Sequence, residues 1–368
     1  MKKEQISENQ LFSLVILFEI GSTTLFSLGV NAKRDAWISI LIALLAGLGL
    51  QWLYTEIQKY FPNQNLTEIL VSVLGKWLAA PLIILFALSF FWTASFNLFE
   101  FSEFLISAFL PTSPLWAVLL LFIFLMVYGL FLGIEVLARS SEIILPCFLF
   151  FIIATFFLVG ISGDMKFERL FPILKDGITP VLKTAPEIIT TPFGEMYIFL
   201  MYWCYVNNQQ VIRKISLLAV SISGILLAIS IINMITVLGV QLTSLSTIPL
   251  FRVIKHIDIV HFIQRLDAIG GSILFLGGLY KATLYFNGSF LALKTLFNVK
   301  LKHQKWLIIL MAIFIYWYIM VYFIDYTFYK WSGSQINNKI VIPIYAILIP
   351  ILLLIIIKVK IKYLKMEK

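Results

Sequence analysis

Four glutamates and one lysine fall inside apolar stretches of this 368-residue chain: Glu19, Glu100, Glu103, Glu195 and Lys281. A charge placed at the centre of a bilayer costs ~2.5–3.5 kcal/mol on insertion scales. Charges kept at that cost face a bundle interior or a wet cavity, where they relay protons, hold a cation or bind a charged solute. Glu100 and Glu103 are three residues apart and share a helix face, so two ionised carboxylates there would repel. They form a proton or cation relay, or they sit at the interface near Pro111 if the helix stops before Glu100. Glu195 either lines a cavity or acts as a helix-start carboxylate that favours the local dipole. Glu19 either lines the same cavity or pairs with a polar group on another helix. Lys281 lies about a dozen residues into its stretch, too deep to snorkel, and calls for a carboxylate partner.

Other chemistries find no support. Neither a His-Glu-x-x-His pair, nor a nucleophile elbow, nor a phosphate-binding glycine loop is present. Gly270-Gly271 and Gly277-Gly278 lack the strand context of a dinucleotide site and read as packing positions. Cys147 and Cys204 fall in apolar spans without metal-ligand spacing and read as buried small residues. His256, His261 and His303 lie in expected loops and form no metal cluster. No cofactor and no metal is expected. The formal charge of +9 carries no nucleic-acid motif.

These charges need elements to hold them, and the composition says which. The chain is 61% hydrophobic and 13% charged, against roughly 25% charged in soluble domains. It reads as an all-α polytopic membrane protein, because helices satisfy their own backbone groups in lipid and no alternating barrel strands are present. Ten transmembrane helices are expected: Leu11–Val30, Ala36–Tyr54, Pro81–Ile106, Leu115–Leu132, Ile143–Ile161, a sixth ending Phe193–Val206, Ile215–Val240, Ile269–Leu291, Trp306–Ile324 and Ile340–Ile357. The first is read as a retained helix, since no small-x-small cleavage site follows it. Trp37, Trp52, Tyr54, Trp116, Trp306 and Trp331 near span ends form the expected interfacial belt.

Ten spans put both termini on one side. Lysines and arginines favour the N-terminal side, ending in Lys358, Lys360, Lys362, Lys365 and Lys368, so both termini are expected in the cytoplasm. The segments Gly163–Thr191 and Gln241–Asp267 are expected as long outer loops.

Two spans carry break signals. Span one reads Glu19-Ile20-Gly21-Ser22-Thr23-Thr24, where glycine weakens the helix by ~1 kcal/mol relative to alanine and hydroxyls can satisfy freed backbone groups. The alternative is that Gly21 and Ser22 only let two helices approach. Span six begins Thr190-Thr191-Pro192-Phe193-Gly194-Glu195 after an amphipathic half-helix at Ile178–Ile189. Interrupted spans in matching positions point to a transporter site built as a five-plus-five inverted repeat, here residues 11–161 and 178–358 of a single membrane domain. A half-helix N-terminus receives a carboxylate and a nearby glutamate an ammonium, which suits a zwitterionic amino acid.

The chain resembles the spore germination permeases, the B subunits of germinant receptors, in the amino acid–polyamine–organocation superfamily. The resemblance rests on segments spread over nearly the whole chain. They include Asp35-Ala36-Trp37, Leu74-Gly75-Lys76-Trp77, Glu100-Phe101-Ser102-Glu103-Phe104, Pro111-Thr112-Ser113-Pro114-Leu115-Trp116, Gly133-Ile134-Glu135-Val136-Leu137-Ala138-Arg139, Phe171-Pro172-Ile173-Leu174, Pro192-Phe193-Gly194-Glu195 and Arg265-Leu266-Asp267-Ala268. It implies a subunit of the spore inner membrane that binds a small germinant such as an L-amino acid and signals through A and C subunits. Carried over by position, the ligand site is Gly21, Ser22, Glu100, Phe193, Gly194 and Thr283, with Glu19, Glu103, Glu195 and Lys281 as cation- or proton-coupling residues. Lys281 would stand where a sodium-coupled relative holds a cation. A proton-coupled amino-acid symporter and an ion or water channel are the competing functions.

Overall fold

The structure is a computed structural model and describes residues 4–255, 266–323 and 325–366. Its first helix is α1, Glu8–Thr23, started by a capping box in which Ser7 Oγ accepts the Gln10 N–H and Gln10 Oε1 accepts the Ser7 N–H. Every residue from Ser13 to Thr23 is buried. A helix apolar all round belongs in the middle of a bundle, and α1 lies between α10 (Leu266–Phe297) and α8 (Ile212–Leu245). Its 16 residues rise about 24 Å, short of the ~30 Å hydrocarbon core.

The expected first span to Val30 is therefore corrected: the helix ends at Thr23, and a turn leads through Gly29 (φ 74°) into a 3-10 segment at Val30–Asp35. That left-handed φ favours glycine. Helix α2 (Ala36–Tyr60) follows, then the short α3 (Leu66–Leu74), which Asn65 and Glu68 start with a second capping box. Helix α4 (Lys76–Ala108) packs along α10, and α2 along α8. Helices α5 (Leu115–Leu132) and α6 (Ile134–Ser162) close the first part of the chain. Because α4 runs to Ala108, Glu100 and Glu103 both lie within it.

The two expected outer loops are partly helical. The amphipathic half-helix is present as α7 (Thr179–Thr190), α8 continues to Leu245, and α9 spans Pro249–Lys255. Helix α8 kinks at Gly239 (φ 77°). The Arg169 guanidinium donates to the carbonyls of Thr236 (2.9 Å) and Val237, acceptors that the kink sets free.

Segment 193–205 is wound as 3-10 helix, Phe193–Met201 and Trp203–Tyr205, rather than the expected α-helix. Pro192 precedes it without an N–H, and the run from Phe193 to Trp203 is buried throughout. A two-sided backbone clasp fixes its end: the Ile6 N–H donates to Tyr205 O (2.9 Å) and the Asn207 N–H to Ile6 O (3.1 Å). Helix α11 is Leu301–Tyr322, so His303 is helical rather than in a loop. The last span starts earlier than expected, at α12 (Tyr326–Ser332), continues through π-helical turns at Gly333–Val341 and Ile344–Leu348, and ends in α13 (Ile349–Met366).

Among the described residues, seven helical stretches are long and apolar enough to cross a membrane: Val30–Tyr60, α4, α5, α6, Gln209–Leu245, α11 and Tyr326–Lys362. The protein is a multi-pass membrane protein. Two surface readings change. Tyr54 is fully buried, not interfacial, whereas Trp52, Trp116, Trp306 and Trp331 are exposed. Cys147 is exposed on α6. Lys2, Lys3, His256, His261, Arg265 and Lys368 lie outside the described residues.

Candidate functional site

Lys281 sits near the middle of α10, with about 22 Å of helix on either side of it. Its Nζ is 2.5 Å from Glu195 Oε2, and both side chains are only 3% exposed. The same Nζ lies 5.2 Å from the centroid of the Phe18 ring. The 3-10 winding of Phe193–Met201 presents Glu195 to α10, and α1 presents Phe18. An ion pair out of water is held only when its geometry is good, and removal of either partner strands the other.

Glu19 follows Phe18 on α1. It is fully buried, and neither carboxylate oxygen has a hydrogen-bond partner. Lys281 and Glu195 are both within electrostatic range of it. A buried carboxylate without a partner calls for a proton or a cation. Glu100 on α4 also feels Lys281 and Glu195, and Tyr329 of α12 approaches its carboxylate. One carboxylate, Glu195, thus pairs with the ammonium, and two more, Glu19 and Glu100, lie within its electrostatic reach.

Glu103 stands apart from this group. It shares the wall of a cavity of about 150 Å³ with Glu100, Phe26, Ser107, Thr247 and Tyr326. That volume is worth about five waters at ~30 Å³ each. Glu100 belongs to both, so it links the cavity to the Glu195–Lys281 pair.

The remaining expected site residues divide. A Cβ on Gly21 would lie 2.6 Å from Gly277 Cα, so these two glycines allow α1 and α10 to touch backbone to backbone. Gly270, Gly271 and Gly278 face the rings of Phe151, Phe109 and Phe101 in the same way. Ser22 is buried beside this contact. Thr283 is buried on α10, its hydroxyl donating to Leu279 O at 2.6 Å. Phe193 instead fills the space left by Gly47 of α2. The Gly194 carbonyl accepts from the Tyr54 hydroxyl (3.1 Å), which also reaches Ala346 O (2.6 Å). The structure therefore gathers Glu19, Glu100, Glu195 and Lys281, places Gly21, Ser22 and Thr283 on the flanking helices, and turns Phe193 and Gly194 toward α2.

Aromatic rings seal the cluster. Tyr285 and Phe199 lie 5.4 and 5.3 Å from Phe18, and Tyr197 stacks on Phe90 at 5.4 Å with its hydroxyl 3.2 Å from Ser89 Oγ. Tyr54 and Tyr329 were not legible as site neighbours, because both stand near span ends, where tyrosine is common at any membrane interface. Among the described residues, no group of three His, Cys, Asp or Glu side chains could hold a metal ion.

Solved transporter structures share this helical fold. The nucleobase-cation-symport-1 family transporter MHP1, closed with bromovinylhydantoin bound, superposes with TM-score 0.66 over 94% of this chain and 79% of that one, at 14% identity. MhsT in complex with L-phenylalanine gives 0.63 over 97% and 99%, also at 14% identity. At that identity the likeness is one of fold. The chain belongs to the spore germination protein family, whose profile matches residues 5–328. Spore germination protein KB of Bacillus subtilis (strain 168) is 34% identical over 305 residues, which cover 83% of this chain and 82% of that protein. Family and fold are those of permease-like, transporter-type proteins rather than enzymes.

Proposed function

We propose that this chain is the B subunit of a spore germinant receptor, sensing a small nutrient through a transporter-like pocket. The observation that carries the reading is the Glu195–Lys281 pair, buried against α1 in a member of a spore germination family. In this reading the seven long stretches, α1, segment 193–205 and α10 make ten spans. They form two inverted five-helix repeats in one domain, with spans one and six broken. Both termini lie in the cytoplasm, the membrane is the spore inner membrane, and the partners are A and C subunits.

The ligand is an amino acid held near the end of α1. Gly21, Ser22, Glu100, Phe193, Gly194 and Thr283 shape the pocket, and Glu19, Glu103, Glu195 and Lys281 answer to ligand charge. Spores carrying wild-type or Lys281→Ala protein, challenged with single L-amino acids, test this through dipicolinate release. The variant is expected to lose its response. An unchanged response with unchanged pH dependence would remove Lys281 from the site.

A second reading is proton-coupled amino-acid symport, favoured by the unpartnered Glu19 carboxylate. Proteoliposomes with an imposed pH gradient separate the two. Robust accumulation of radiolabelled amino acid would sink the pure sensor.

A further inference from the structure

A second and larger cavity, of about 610 Å³, opens at the opposite end of the bundle from Glu103. It lies where α5 ends, α6 begins, α10 ends and α11 begins. Its volume falls in the roughly 300–1,000 Å³ range of ligand pockets. None of the groups discussed for germinant sensing lines it.

Its charge is one-sided. Lys294, Lys302 and Lys305 line the cavity against one carboxylate, Glu4. None of the three lysines makes an ion pair among the described residues. Lys305 Nζ rests 5.8 Å from the centroid of the Phe131 ring, a cation–π position that leaves its donors free for an anion.

Glu4 already behaves as an internal occupant. Its carboxylate accepts the Ile134 N–H at the start of α6 and is drawn by Lys294, while burial pushes its carboxyl up from the ordinary range. Its Oε1 fills the space a Cβ on Gly133 would take, and Gly133 has φ 90°. The cavity thus holds an acidic oxygen in place today.

The rim is apolar. Phe131, Leu132 and Leu301 line the cavity and are 39%, 46% and 67% exposed, so exposed apolar side chains edge it. An anion site edged by exposed apolar side chains suits a molecule with a charged head and acyl tails. A free anion would have no use for that rim. Basic pockets between transmembrane helices on the cytoplasmic side take acidic lipid headgroups.

We propose that this cavity binds the phosphate headgroup of an anionic phospholipid, with Lys294, Lys302 and Lys305 as its cationic wall and Glu4 as a competing carboxylate. The test is native mass spectrometry of the purified full chain after exposure to equimolar phosphatidylglycerol and phosphatidylcholine. The wild type retains phosphatidylglycerol preferentially. Lys294→Ala/Lys302→Ala/Lys305→Ala loses that preference by roughly tenfold or more, given the attraction each lysine has for an acidic lipid. Glu4→Gln, which removes the competitor, shifts retention the other way. Lys358→Ala/Lys362→Ala, which removes lysines outside the cavity, leaves it unchanged. Unchanged retention in the triple variant, or an equal loss in the tail variant, overturns the assignment. Displacement of the lipid by inorganic phosphate alone would make this a free-anion site and overturn it as well.

Discussion

Truncating Lys281 is the sharpest perturbation of the buried cluster. In Lys281→Ala, Glu195 loses its partner at 2.5 Å in surroundings where both side chains are 3% exposed, so water screens almost nothing. Breaking a buried pair by removing one partner costs about 3–5 kcal/mol, more than the pair itself is worth. At ~2.1 cal/mol/K per residue, unfolding the chain carries an entropy of about 0.8 kcal/mol/K, so the midpoint falls by roughly 4–6 °C. The stranded carboxylate is the cause, so Glu195→Gln in the Lys281→Ala background should recover about half of the loss, a neutral amide being cheaper to bury. Differential scanning fluorimetry of the four proteins of this cycle, in one detergent and at one pH, gives the coupling directly. A Lys281→Ala midpoint within about 1 °C of wild type, or a double variant no more stable than Lys281→Ala, would refute the reasoning.

Three further outcomes follow from the geometry. Gly277→Ala puts a Cβ 2.4 Å from Gly21 Cα, and forcing α1 from α10 should cost about 1–3 kcal/mol, read as a lower unfolding midpoint. Arg169→Ala strands the Val237 carbonyl and leaves Thr236 O with only the Lys166 N–H (3.1 Å), at about 1–3 kcal/mol; hydrogen exchange should rise around the α8 kink, and Arg169→Lys should restore it only in part. At the surface, Lys33 Nζ sits 2.7 Å from Asp176 Oδ2, and that hydrogen bond holds the Asp176 carboxyl below its ordinary range. The depressed value means that any contribution is present above the ordinary aspartate range and is lost as pH falls through the folded value. Carboxylate carbon NMR should see Asp176 titrate higher in Lys33→Ala, with no change in unfolding midpoint, because the pair is exposed.

The long helices were legible because apolar runs of span length have few other fates in lipid, and α2, α4, α5, α6, α8, α10 and α11 overlap their expected positions. The charged residues were legible for the same reason: burying charge is costly, so Lys281 had to meet a carboxylate. Which carboxylate was not legible, because Glu195 is far away in sequence and no local pattern ties them. Gly21 stood between two readings, and the contact with Gly277 shows that close approach at least is real. The 3-10 winding of 193–205 was missed because its apolar run looks like any α-helical span. Burial does not distinguish the two windings either, since Phe193, Tyr197, Tyr202 and Trp203 are buried here and Ser13–Thr23 are buried in the α-helical α1. Tyr54 was misplaced because its partners, Gly194 O and Ala346 O, come from distant segments.

The clasp between Ile6 and segment 205–207 also sets an order of events during synthesis. The Asn208 amide, which donates to Glu8 Oε1, is 200 residues downstream of its acceptor. At ~5–20 residues per second, the start of the chain waits roughly 10–40 s for that partner to be made. Until then α1, the most enclosed helix of the bundle, has neither its clasp nor most of its neighbours. The centre of the protein is therefore among the last parts to be completed, although α1 is made before the segments that enclose it.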